Sequence, residues 1–301
     1  MQRRILLTGL VMTAGLALWQ ALRRPALSEA AWQAAFATPL PAPTGPMKTY
    51  HLGHSLVGRD MPAMLAQLAG HVHHSQLGWG ASLSDHWKGR VNGFAEENAH
   101  PAHRPVREAL ESGGYDAVIL TEMVELQDAI RHHDSAAHLA DWASLARNAR
   151  PDVRLYLYET WHRLDDPAGW LNRLDADLPA LWEAQVLRPA MARAGGVIHV
   201  IPGGQVMAAA ARAAEAGQIP GLTSRTDFFA DDIHLNDLGH WLIAMTHYAV
   251  LYHRTPVGLP AQLNRADGTP ATAPSAEAAN ALQEVVWQVV TRYPATGVGQ
   301  G

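Results

Sequence analysis

Residues 48–77 read KTYHLGHSLVGRDMPAMLAQLAGHVHHSQL. The stretches 48–52 and 72–77 are rich in strand-forming residues, and 62–69 between them has the spacing of a helix. Strand, helix and strand in that order make a βαβ unit. The alternation continues, with strands expected at 117–120, 153–158 and 197–201. Helices are expected at 105–111, 136–149, 170–194, 205–216, 238–252 and 276–292. Strands joined through helices pair in parallel and need helices on both faces to bury them. The expected fold is therefore α/β, a three-layer α/β/α sandwich around a parallel sheet of about five strands. Chemistry in such sheets gathers at the carboxyl ends of the strands.

The chain has 301 residues, 48% hydrophobic and 17% charged, which suits one large domain with a full core. Its formal charge of −5 disfavours a nucleic-acid partner held by a basic surface. There is no cysteine, which excludes disulfides, thiolate metal sites and thiol nucleophiles. Arg3-Arg4, the apolar run 5–22 and Arg23-Arg24 mark residues 1–24 as an N-terminal signal or membrane anchor. TPLPAPTGP at 38–46 makes 25–46 a Pro-rich linker, leaving 47–301 as the functional domain. Without residues 1–24 the formal charge is −9. The expectation is an acidic domain outside the cytoplasmic membrane (periplasmic, anchored or secreted) that meets the membrane through its N-terminal segment only.

Directly after the first strand stands Gly53-His54-Ser55-Leu56. A serine on a strand-to-helix turn is presented at the sheet edge, where backbone N–H groups can receive an oxyanion. Far downstream stands Asp231-Asp232-Ile233-His234-Leu235-Asn236-Asp237. Asp231, three residues before His234, can accept from imidazole Nδ1 and leave Nε2 to face Ser55 as general base.

Together these segments resemble the SGNH (GDSL-type) hydrolases. Gly53–Leu56 is similar to that superfamily's first block, with His54 where Asp is usual. Asp231-x-x-His234, with Leu235, Asn236 and Gly239 behind it, is similar to its last block. Gly80-Ala81-Ser82-Leu83 fits the second block, whose glycine N–H serves the oxyanion hole. The third block falls at residues 115–122, but its usual Asn is absent; Thr121 hydroxyl or a backbone N–H is the expected replacement. The resemblance implies a flavodoxin-like fold and cofactor-free ester hydrolysis. It assigns Ser55, His234 and Asp231 as catalytic, and Ser55, Gly80 and Thr121 as the oxyanion hole. Ser55 precedes the Asp-His pair, as in the hydrolases; in the related polysaccharide acetyltransferases the Asp-His pair comes first.

His54, Glu122, Trp161 and His162, all at predicted strand ends, are candidate substrate contacts. Trp79, Trp87 and Trp161 offer aromatic faces on which a sugar ring could stack. The expected reaction is removal of a short acyl group, most simply acetyl, from an extracytoplasmic carbohydrate or small ester. Rival expectations are a catalytically weak carbohydrate- or envelope-binding protein, a polysaccharide O-acyltransferase, and a metal hydrolase using His71 and His73. The resemblance calls for no metal and no cofactor.

Overall fold

The computed structural model describes residues 25–299. The expected signal or anchor at 1–24 lies outside the described residues. Among those described, no helix is long and apolar enough to cross a membrane.

Five strands form one sheet: β1 (Lys48–His54), β2 (Val72–Gly78), β3 (Ala117–Leu120), β4 (Arg154–Glu159) and β5 (His199–Pro202). Their order is β2-β1-β3-β4-β5, and every neighbouring pair is parallel. The two-residue period of a strand divides each between two cores. Ala117, Ile119, Tyr156, Tyr158 and Ile201 face one core, and Val118, Leu120, Leu155, Leu157 and Val200 face the other. Helices Asp60–Ala69, Gly203–Glu215, Asp237–Tyr252 and Ala276–Arg292 close the first face. Helices Val106–Glu111, Ser135–Ala149 and Arg188–Ala194 close the second. The fold is thus a three-layer α/β/α sandwich. Helix Asp237–Tyr252 is buried along most of its length because it packs against the sheet and helices Asp60–Ala69, Gly203–Glu215 and Ala276–Arg292.

Two expectations need correcting. Residues 25–46, expected as a Pro-rich linker, are not linker throughout. Ser28 caps a helix, Glu29–Ala35, whose Trp32 joins Phe36 in the second core, and the Arg188 guanidinium lies 4.8 Å over the Trp32 ring. The proline composition hid two aromatic residues with a core to fill. The helix expected at 170–194 is not uniform: Trp170–Asp177 runs into a π-helical stretch, Leu178–Leu187, before Arg188–Ala194 resumes α geometry. Pro179 and Pro189 lack the N–H groups that would keep the α ladder continuous.

The sheet order reverses direction between β1 and β3. Connections leave to opposite sides there, opening a crevice at the carboxyl ends. Ser55 follows β1 at that point, and Thr121 and Glu122 follow β3.

Candidate active site

β1 ends at His54, whose carbonyl accepts from Val57 N–H (2.9 Å) and Gly58 N–H (3.3 Å), closing a tight turn that carries Ser55. Gly58 turns with φ +60°. The next helix starts only at Asp60, so Ser55 stands on the turn and not in the helix's first turn. The helix begins two residues earlier than the expected 62, yet still five residues past Ser55. Gly53 is required by close packing, since a Cβ there would come within 2.5 Å of Thr121 Cγ2.

The Asp-His loop reaches this turn from the far end of the chain. Ala230 N–H donates to the His234 carbonyl (2.8 Å) and Asn236 N–H to the Phe228 carbonyl (3.2 Å), so the loop closes on itself. Asn236 then caps helix Asp237–Tyr252, accepting from Gly239 N–H at 3.1 Å. His234 Nε2 lies 3.0 Å from Ser55 Oγ, and Nδ1 lies 2.8 Å from Asp231 Oδ2. The other Asp231 oxygen accepts from His234 N–H (2.7 Å) and Ile233 N–H (2.8 Å). The His234 N–H, then its imidazole and the Ile233 N–H, hold the Asp231 carboxyl down at about 2. An ionised Asp231 fixes a proton on Nδ1, leaving Nε2 as acceptor toward Ser55. The side chains of His234 and Asp231 are 46% and 52% exposed, so a reacting group can approach.

Gly80 follows β2 by two residues, is exposed, and holds φ +54°. Among the described residues its N–H has no hydrogen-bond partner. Trp79 beside it is 55% exposed yet fixed: its Nε1–H donates to Glu97 at 2.8 Å and its ring lies flat on Gly93. His54 and Gly78 are the last paired positions of β1 and β2, so Ser55 and Trp79 leave the sheet side by side.

The other expected contacts are placed differently. Thr121 is no free donor, because its buried hydroxyl donates to the Tyr158 carbonyl at 2.6 Å. His54 is buried; its Nε2–H donates to the Glu122 carbonyl at 2.8 Å, and burial pulls its imidazole down to about 4. Glu122 is buried too, one carboxylate oxygen accepting from Leu83 and Met123 N–H, and burial pushes its carboxyl up to about 7. Trp161 is 1% exposed, and its Nε1–H donates to the Ile233 carbonyl at 2.8 Å. His162 is buried against Asp177, 2.8 Å from Nε2. His54, Glu122, Trp161 and His162, expected as substrate contacts, are all buried. They lie beneath the turn that carries Ser55, with their side chains buried in the layers. Trp87 is covered on one side by the Arg107 guanidinium, 4.3 Å above its ring.

His71 and His73 do not form a ligand pair. His71 Nδ1 is bound to Tyr252 hydroxyl (2.7 Å), with Nε2 3.5 Å from Thr49 hydroxyl. His73 lines a separate 140 Å³ cavity with Arg59 and His100. Glu125, His162 and Asp166 converge closely enough to suit a cation. The guanidinium of Arg173 already supplies the positive charge, donating at 2.8 Å to Glu125, Asp166 and Asp177.

No family model matches this chain, and no curated protein matches it. Among solved structures it is similar to a protein from Parabacteroides merdae ATCC 43184 described as a GDSL-like lipase. The identity is 12%, the match covers 69% of this chain and 96% of that one, and the TM-score is 0.45.

The contacts that tie Asp232 and Ile233 to residues 161–164 leave no trace in the sequence. About seventy positions separate the two loops, and no periodicity or motif links them.

Proposed function

We propose that the protein is a serine esterase working through an acyl-enzyme. The observation that carries this reading is the continuous chain from Ser55 Oγ to His234 to Asp231 at the sheet's switch point. Ser55 Oγ attacks the acyl carbon as its proton passes to His234 Nε2. The imidazolium returns that proton to the departing alcohol oxygen. Water then attacks the acyl-enzyme, giving a proton to His234, which restores the Ser55 hydroxyl as the acid leaves. The N–H groups of Ser55 and Gly80 receive the oxyanion, without help from the committed Thr121 hydroxyl. The test is a fluorophosphonate probe followed by peptide mapping. One adduct on Ser55 is expected; an unlabelled serine, where a known serine esterase labels fully, sinks the proposal.

We assign the leaving alcohol to a carbohydrate and the acyl group to acetyl. Trp79 supports this, as a rigid aromatic face beside Gly80 on which a pyranose ring can stack. The apolar run 5–22 supports a position outside the cytoplasmic membrane. Across p-nitrophenyl esters from acetate to decanoate, kcat/KM is expected to be highest at acetate and to fall with chain length. A rise toward decanoate overturns the acetyl assignment.

A further inference from the structure

The loop after β4 holds the loop that carries Asp231 and His234 by three contacts to two consecutive residues, Asp232 and Ile233. Trp161 Nε1–H donates to the Ile233 carbonyl at 2.8 Å. Leu164 N–H donates to the Asp232 carbonyl at 2.8 Å. The Arg163 guanidinium pairs with the Asp232 carboxylate. The first two bonds take the carbonyls just before His234, so they fix the peptide planes from which its side chain departs. The third neutralises a carboxylate directly beside Asp231.

The holding loop is itself anchored from below. The Trp170 indole N–H donates to the His162 carbonyl at 3.0 Å, and the His162 ring is locked against Asp177 at 2.8 Å. Arg173, only 13% exposed, binds Asp177, Asp166 and Glu125 at once, joining the loops after β3 and β4 to helix Trp170–Asp177. Trp161 also stands edge-on to Tyr158 of β4 and to Phe229 at the start of the Asp-His loop. A half-exposed loop thus gains the rigidity of the sheet.

We infer that Trp161 is a positioning residue, and that its loop serves as a splint keeping His234 in line between Asp231 and Ser55. This rests on the serine-esterase reading. Without the splint the loop would keep its internal bonds and its buried Phe229 and Leu235, but the peptide planes at Asp232 and Ile233 would be free to turn and the Ser55–His234 distance would vary. Small misplacements of a catalytic group cost up to about 100-fold in rate.

The test uses the full chain with p-nitrophenyl acetate, comparing Trp161→Phe, Arg163→Ala and Ser55→Ala with the parent. It also follows the downfield proton NMR signal of His234 Nδ1–H, assigned by its loss in His234→Ala. Trp161→Phe keeps a ring but loses the indole N–H. Its kcat is expected to fall about 10–100-fold at nearly constant KM, with the Nδ1–H signal broadened or shifted. Arg163→Ala removes a half-exposed side chain and is expected to lose about threefold in kcat. A parental kcat in Trp161→Phe, or a loss with matching KM rise and an unchanged imidazole signal, overturns the splint. Should Trp161→Phe not fold, a parental kcat and signal in Arg163→Ala does the same. Full activity in Ser55→Ala overturns the esterase reading instead, and the imidazole signal still reports on the splint.

Discussion

Ser55→Ala is expected to lower kcat on p-nitrophenyl acetate by at least about 10⁴-fold, and Asp231→Asn by about 10⁴-fold. The two losses have different causes. On the serine-esterase reading, removing the Ser55 hydroxyl deletes the nucleophile, and His234 then has no proton to take. Replacing Asp231 keeps the shape of the loop but changes what the carboxylate does. Its oxygens accept from His234 N–H, Ile233 N–H and imidazole Nδ1. An amide cannot accept at both ends, so one face would donate, and a donor facing Nδ1 moves the ring proton to Nε2. Nε2–H then points at Ser55 as a donor and cannot act as base. Because the three residues act as a unit, the double variant is expected to lose hardly more than Ser55→Ala alone. Steady-state rates of purified single and double variants, with matched circular dichroism spectra, decide this. Additive losses in the double variant would break the assignment of one catalytic unit.

Acid is expected to unfold the protein between about pH 6.5 and 4, with greatest stability near pH 6–7. Burial holds the imidazoles of His54, His86, His199 and His247 down at about 4, from the ordinary 6.5. A depressed folded value contributes stability that is present above 6.5 and is lost as pH falls through 4. Each of these rings represents on the order of 3 kcal/mol. The four together match the whole stability of a typical domain, about 5–15 kcal/mol. Glu122 and Glu159 act in the opposite sense, since burial raises their carboxyls to about 7 and about 8. Their contribution is present below the ordinary carboxylate range and is lost as pH rises through those values. Thermal unfolding followed by circular dichroism from pH 4 to 9 should trace a peak that falls more steeply on the acid side. Glu159→Gln should flatten the alkaline limb. A melting temperature that stays level from pH 7 to 4.5 would falsify this account.

Much of the fold is legible in the sequence. The runs at 117–120 and 153–158 are almost unbroken apolar strands, as a sheet covered on both faces demands. Their alternation with helical stretches left a parallel three-layer sandwich as the simple solution. Ser55 and the Asp231-x-x-His234 pair were also readable, because each lies within a short local pattern set by a turn and a helix cap.

What composition hid was anything decided by packing at a distance. Trp32 and Phe36 turn a proline-rich segment into part of the second core, since two large apolar groups gain more by burial than the chain loses in freedom. Thr121, His54, Glu122, Trp161 and His162 stand at strand ends, where sequence predicts contact with a ligand, yet all five are buried. A strand end fixes only how far along the sheet a residue sits. Whether its side chain faces the crevice or a layer depends on neighbours far away in the chain, such as the Tyr158 carbonyl that takes the Thr121 hydroxyl. By itself the sequence determined the layered sheet and the three residues that meet at its edge. Only the tertiary structure decided which groups around them face the crevice and which are buried beneath it, because side-chain direction follows long-range packing and hydrogen-bond demand.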